Sequence, residues 1–134
     1  MKWGDPLTGA VIGAAIEVHK SLGGPGLRER IYEEALCQEL RLRGLEAIRQ
    51  LPLPIRYKGV QLRNPLIVDL LVERRLIIEV KATEENSPLH RSQLLTYLRL
   101  SGLPVGLLIN FGGRLLKHGI VRVRSSLDLR RTLG

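Results

Sequence analysis

Apolar positions along the chain change their period twice, and the changes mark out the elements. Leu7, Val11, Ala14, Val18 and Leu22 recur at three- and four-residue spacing, which is one stripe along a helix. Asp5-Pro6 supplies the start such a helix needs, a capping side chain followed by proline, and Gly23-Gly24-Pro25-Gly26 stops it. A second helix is expected over about residues 27–43, with Ile31, Ala35, Leu36 and Leu40 buried and Gly44 at its close. The period then drops to two. Leu51, Leu53, Ile55 and Tyr57 alternate as a half-buried strand does, and Pro52 and Pro54 place that strand partly at a sheet edge.

Lys58-Gly59 reads as a turn, and residues 66–72 and 76–81 form two strands around the polar break Glu73-Arg74-Arg75. Ser87-Pro88 repeats the cap-plus-proline start of a helix that runs to Ser101, before Gly102. Residues 103–110 read as a buried strand, Gly112-Gly113 as a turn and residues 115–123 as a last strand. Residues 125–134 read as a short basic helix or a frayed tail. The order α-α-β-β-β-α-β-β describes a single α/β domain over residues 1–134, with a core of about 5–123 and a basic tail over 124–134.

Charges inside the apolar strands change the picture. Glu79 and Lys81 share one face of the strand over residues 76–81, and Asp69 interrupts Leu66-Ile67-Val68-Asp69-Leu70-Leu71-Val72. A buried, unpaired carboxylate costs several kcal/mol, on the order of a large share of a domain's stability, so these charges need partners or a task. If Glu73-Arg74-Arg75 is a three-residue loop, Val72 opposes Leu76 and Asp69 falls opposite Glu79. A two-residue loop would shift the pairing by one, unless a bulge restored it. In the favourable register two carboxylates and an ammonium converge, an oxygen-only set suited to Mg²⁺ or Mn²⁺. The bland alternative is a buried salt bridge of Lys81 with Asp69 or Glu79.

Composition narrows the partners. The net charge is +8 over 134 residues, and the last 24 residues carry Arg114, Lys117, Arg122, Arg124, Arg130 and Arg131 against Asp128 alone. Arginine outnumbers lysine, and its planar fork suits phosphate, so a polyanion is a fitting partner. Arg114, Lys117, Arg122 and Arg124 are the candidate nucleic-acid contacts, with Arg122 and Arg124 on one face of the final strand. Cys37 is the only cysteine, which excludes an intrachain disulfide and a cysteine zinc site and suits a reducing cytoplasm. His19, His90 and His118 form no zinc motif. The apolar run over residues 6–16 is flanked wrongly for a signal peptide, and no run approaches the roughly 20 residues needed to span a bilayer.

Asp69…Glu79-Val80-Lys81 on consecutive strands, followed by a helix with Gln93 and Tyr97, resembles the PD-(D/E)XK nuclease superfamily. Within it, Gly26-Leu27-Arg28-Glu29-Arg30-Ile31-Tyr32 resembles the motif of the GxxExxY protein family. Glu17-Val18-His19, Tyr57-Lys58-Gly59, Gln93-Leu94-Leu95-Thr96-Tyr97-Leu98-Arg99 and Gly106-Leu107-Leu108-Ile109-Asn110-Phe111 are similar too. The resemblance implies an α-β-β-β-α-β restriction-endonuclease-like core, with an extra N-terminal helix and a C-terminal strand. It also implies Mg²⁺-dependent phosphodiester hydrolysis, with Asp69 and Glu79 as metal ligands, the Val80 carbonyl as a further one and Lys81 as the catalytic lysine. The residue before the aspartate is Val68 and not proline. Glu29 is the candidate third carboxylate, against an ordinary exposed glutamate. Gln93 is similar to a glutamine that touches the site in related nucleases, and Tyr97 shares its helical face. Tyr32 is expected to pack.

The expectation is therefore a metal-dependent nuclease acting on nucleic acid, with DNA favoured over RNA. A homodimer is a reasonable way for so small a chain to engage a duplex. The alternative is a non-catalytic nucleic-acid-binding or assembly module that keeps the fold.

Overall fold

The computed structural model describes residues 3–125. The first helix, α1 (Pro6–Ser21), starts where Asp5 takes the Thr8 N–H at 2.8 Å and the Thr8 hydroxyl at 2.9 Å. It buries Val11, Ile12, Ala14, Ala15 and Val18. The second helix, α2 (Glu29–Leu42), buries Tyr32, Leu36, Cys37 and Leu40 together with Glu33. Ile31, expected inside, is 45% exposed. Tyr32 explains the rotation. Its ring stacks on Phe111 with centroids 4.6 Å apart and its hydroxyl donates to the Gly24 carbonyl at 2.7 Å, so the larger side chain takes the inner face.

Among the described residues seven strands follow in chain order: β1 (Ala47–Leu53), β2 (Arg56–Tyr57), β3 (Val60–Gln61), β4 (Leu66–Val72), β5 (Leu76–Lys81), β6 (Val105–Asn110) and β7 (Ile120–Arg124). Five of them make one sheet in the order β1-β4-β5-β6-β7, while β2 and β3 form a separate hairpin. Only the β5–β6 pair is parallel, and α3 (Pro88–Ser101) makes the crossover that a parallel pair requires. Helices α1 and α2 cover one face, against Leu70, Val72, Leu76, Ile78, Val80, Leu107 and Ile109. On the other face Leu94 and Leu98 of α3 pack on Val68, Ile77, Leu108 and Val123.

Two strands differ from the expectation. The alternating run over residues 51–57 breaks after Leu53, and Tyr57 belongs to the detached β2. The proline at 54 cannot donate to a ladder, so the sheet strand ends before it. The run over residues 115–123 opens with a 3-10 turn over Leu116–Gly119 before β7 begins. Leu116 tucks into the core there, and a side chain at Gly119 would overlap the Asn110 carbonyl. The edge position of β1 agrees with its prolines. Residues 126–134 of the expected tail, with Arg130 and Arg131, lie outside the described residues.

Candidate active site

Val72 opposes Leu76, so Glu73-Arg74-Arg75 is a three-residue loop, and its Glu73 and Arg74 carry φ of 51° and 55°. That register sets Asp69 opposite Glu79, but the regular ladder stops one pair earlier, at Leu70–Ile78. Beyond it, side chains take over the backbone groups. The Val80 N–H donates to Asp69 Oδ2 at 2.8 Å, and the Asp69 N–H points at Glu79 Oε1 from 3.4 Å. Each acid thus occupies a place where a strand carbonyl would stand, and β4 and β5 part at this point.

A second irregularity explains how. Val68 packs towards α3, yet Leu70 and Val72 face α1 and α2, although strict alternation would keep all three on one face. The partner strand does the same: Ala47 lies on the α1–α2 side, while Leu51 and Leu53 lie on the α3 side. Both strands exchange faces at Gln50 and Asp69, and the Cα pairing of β1 with β4 resumes unshifted on the far side. Gln50 takes up the twist with φ of 51°, a left-handed backbone that costs a non-glycine residue about 1–3 kcal/mol. The amide it redirects donates to Glu33 Oε1 at 2.7 Å and lies 3.4 Å from Asp69 Oδ1. Arg49 holds the other Glu33 oxygen from Nε at 3.1 Å and Nη2 at 2.9 Å.

The electrostatics follow from burial and like charge. Glu79 is 4% exposed, and burial, followed by the Asp69 charge, pushes its carboxyl up to about 8. The Asp69 N–H and the Lys81 ammonium pull the other way and do not win. Glu33 is raised too, first by burial and then by Asp69, against the pull of Arg49 and Gln50. Lys81 is half-buried and makes no ion pair among the described residues, which disposes of the simple salt-bridge reading in this geometry. Tyr97 on α3 feels both acids: burial raises its phenol first, then Glu79 and Asp69. Its oxygen accepts from Gln93 Nε2 at 3.0 Å, which leaves the phenolic O–H free to donate elsewhere.

A parted hairpin carrying opposed acids, between a helical pair and a crossover helix, is matched over residues 5–123 by the family model described as the PD-(D/E)XK nuclease superfamily. The chain belongs to that superfamily. Among solved structures, SSO0001 matches with a TM-score of 0.53 and 20% identity, over 76% of this chain and 52% of that one, so this chain spans about half its length. The alkaline exonuclease LHK-Exo from Laribacter hongkongensis matches with a TM-score of 0.51 and 14% identity, over 90% of this chain and 72% of that one. At these identities the two share the fold. No curated protein matches the chain.

Set in this superfamily fold, the candidate residues divide. Asp69, Glu79, Lys81 and Tyr97 come together at the parted strands, with Gln93 bonded to Tyr97. Glu29 does not join them: it is the first residue of α2 and exposed. Glu33, one helical turn on, is the buried carboxylate that reaches Asp69 through Gln50. Sequence reasoning misses both, because the apolar spacing of α2 points to an inner face one residue out of phase and Gln50 carries no pattern of its own. Asn110 is a third omission. Its amide accepts from the N–H of Thr83 at 3.0 Å and of Gly112 at 2.9 Å, and donates to Thr83 Oγ1 and Asn86 Oδ1, fixing the chain just past Lys81. A side chain at Gly112 would overlap the Thr83 carbonyl, so only glycine fits that anchor.

The basic candidates divide as well. Arg114 lines an open groove of about 510 Å³ with Glu84, Asn86, Asn110 and His118, at the end of the sheet where Lys81 emerges. Lys117 is exposed on the 3-10 turn. Arg122 is otherwise engaged, as its Nη2 pairs with the Asp5 carboxylate at 3.0 Å beneath the start of α1. With Ile120 on the α1–α2 side and Val121 and Val123 on the α3 side, Arg122 and Arg124 lie on the sheet face opposite Glu79 and Lys81. His19 and Tyr32 are structural: His19 Nε2 is 2.9 Å from the Gly113 carbonyl.

Among the described residues, no three His, Cys, Asp or Glu side chains group closely enough to ligate one ion. What the site offers is the Asp69 and Glu79 carboxylates and the nearby Val80 carbonyl, all hard oxygen donors. That set fits Mg²⁺ or Mn²⁺, since Mg²⁺ is usually held by one or two carboxylates and keeps several waters. No helix is long and apolar enough to cross a membrane among these residues.

Proposed function

We propose that this chain is a divalent-metal-dependent nuclease that hydrolyses phosphodiester bonds in DNA. The observation that carries the reading is the pairing of half-buried Asp69 with buried Glu79, where two acids face one another and neither forms an ion pair among the described residues. A bound cation would favour the ionised pair against the burial and the like charge that raise Glu79. Asp69, Glu79 and the Val80 carbonyl would hold it, and when bound it polarises the phosphodiester and lowers the pKa of an attacking water. Lys81 orients that water or stabilises charge on the pentacoordinate phosphorus. Tyr97 donates its free O–H to a phosphate oxygen, and Gln93 fixes the phenol. Glu33 acts through Gln50 to hold the Asp69 carboxylate in place, a positioning role.

The net charge of +8 supports a nucleic-acid substrate, and membership of a nuclease superfamily supports hydrolysis. Within the superfamily the Gly26–Tyr32 motif supports membership of the GxxExxY family. A cytoplasmic location and a homodimer on duplex DNA go with it. The test is a panel of linear, nicked, branched and single-stranded substrates, DNA and RNA, with Mg²⁺, Mn²⁺ or EDTA. Cleavage of DNA that needs the metal and disappears in Asp69→Asn supports the reading. Cleavage that persists in EDTA overturns the metal-dependent reading, and binding with no cleavage of any substrate overturns it in favour of a non-catalytic binding module.

A further inference from the structure

The β2–β3 hairpin stands apart from the core and carries a combination of side chains that the fold does not use. We propose that it is a substrate-gripping arm, which stacks Tyr57 on an unpaired base and engages flanking phosphates with Lys58 and Arg63. The inference rests on the nuclease reading and names the substrate class: nucleic acid that is single-stranded where it meets the hairpin.

Four observations carry it. The first is geometry. Arg56 pairs with Gln61 and Tyr57 with Val60, and the turn between has φ of 49° at Lys58 and 82° at Gly59. This is the tight two-residue turn in which both central residues are left-handed, and it holds the arm rigid at its tip. Arg56 braces it further by donating to the Gly59 carbonyl at 2.9 Å. The second is exposure of apolar surface. Tyr57 is 60% exposed and Val60 63%, and as a directly opposed pair they present one apolar face to solvent. Leu62, at 42%, continues it.

Charge is the third. Between residues 51 and 68 the chain carries Arg56, Lys58 and Arg63 and no acidic residue. None of the three basic side chains forms an ion pair among the described residues. An acid-free basic arm complements a polyanion, and its apolar face needs something phosphate cannot provide. A paired duplex shows the arm mainly its backbone, whereas an unpaired base offers a π-face that an aromatic ring can cover. The Lys58 ammonium sits 5.4 Å from the Tyr57 ring centroid, so charge and ring already form one unit.

The fourth is position. The β1–β4 pairing ends at Leu53–Leu66, only three residues along β4 from Asp69. At about 3.3 Å per residue the base of the arm lies roughly 10 Å from the acids. A strand gripped there passes over the parted hairpin.

The experiment is binding by fluorescence anisotropy, with Ca²⁺ in place of Mg²⁺, to a DNA single strand and to a blunt duplex of equal length. Tyr57→Ala is expected to weaken single-strand binding roughly 5- to 100-fold, the range for loss of one base–aromatic stack. Duplex binding should change less than about twofold, and Tyr57→Phe should bind the single strand as the parent does. Lys58→Gln with Arg63→Gln should weaken both and make the slope of log K against log salt shallower by about 1.4 on the single strand. Because the side chains are exposed, thermal melts of the variants should match the parent. Single-strand binding unchanged in Tyr57→Ala, or lost equally from the duplex, overturns the proposal. Asp69→Asn separates the two readings. If the parent cuts nothing but binding still depends on Tyr57, the nuclease reading fails and the arm stands. If the parent cuts and Tyr57→Ala binds as the parent does, the arm alone fails. No binding of the parent to either DNA overturns both.

Discussion

Two aspartates in this molecule, one ahead of α1 and one in the middle of β4, meet opposite fates. Asp5 caps α1, and the Thr8 N–H and hydroxyl and the Arg122 guanidinium hold its carboxyl below the usual range. Asp69 faces Glu79, and burial, followed by the Asp69 charge, drives Glu79 up to about 8. In the first case a charge within the fold has its counter-charge supplied by the fold. In the second the fold sets two acids against one another, and neither forms an ion pair among the described residues. A satisfied charge is architecture; one that the fold itself leaves unsatisfied marks the place where something else binds.

The sharpest way to break that contrast is Asp69→Asn. It keeps the shape, still accepts from the Val80 N–H through its amide oxygen, and removes the charge. Cleavage should fall by more than the roughly 10- to 100-fold that outer-shell partners cost, while the metal-free protein stays folded or gains stability. Parent-like cleavage would remove Asp69 from the site.

Next in size is a pair of changes one helical turn apart. Glu33→Gln should lower apparent metal affinity and cleavage about 10- to 100-fold, because one amide oxygen cannot accept from both Arg49 and Gln50 and the Gln50 bridge to Asp69 is loosened. Glu29→Gln should leave both within about twofold of the parent, as exposed changes usually do. Metal titrations of the two variants decide between the carboxylates, and the reverse ranking would restore Glu29.

Acidity supplies the third test. Glu79 has its folded value raised from 4.5 to about 8, so between those values the native state holds a proton that the unfolded chain has released. Its contribution is fully present below about 4.5 and is lost as pH rises through about 8. The metal-free protein should therefore melt progressively lower from pH 4.5 to 8.5, and Glu79→Gln should flatten that slope. The metal prefers the ionised pair, so its affinity should climb over the same range with proton release. Asp5 behaves in the opposite sense: its lowered value gives stability that is present above 3.8 and fails only in stronger acid. A flat profile for the parent would mean that Glu79 is not held protonated.

Smallest are the changes at the satisfied pair. Asp5→Ala should cost about 1–2 kcal/mol in thermal or urea unfolding, the usual loss of a helix cap, with cleavage per folded molecule unchanged. Arg122→Ala with Arg124→Ala should leave the salt slope of DNA binding nearly as it was, since these residues lie on the face away from the acids. A slope shallower by roughly two units would return them to the DNA footprint.

Much of this was legible in the chain because local rules carry it. Asp5-Pro6 and Ser87-Pro88 start their helices where expected, glycines end α1 and α3, and the Glu73-Arg74-Arg75 loop sets Asp69 against Glu79 in the pairing foreseen. A period of two, a cap and a loop length are properties of neighbouring residues, and sequence shows neighbours. What the tertiary structure alone decided depends on packing at a distance. The stacking of Tyr32 on Phe111 turned α2 by one residue, burying Glu33 and exposing Ile31 and Glu29. The left-handed twist at Gln50 goes with the exchange of faces in β1 and β4 and joins Glu33 to Asp69. Arg122 found Asp5 from the far end of the chain. Residues far apart in sequence meet only after the layers close, so which carboxylate is shared and which is spent on structure is decided there and nowhere earlier.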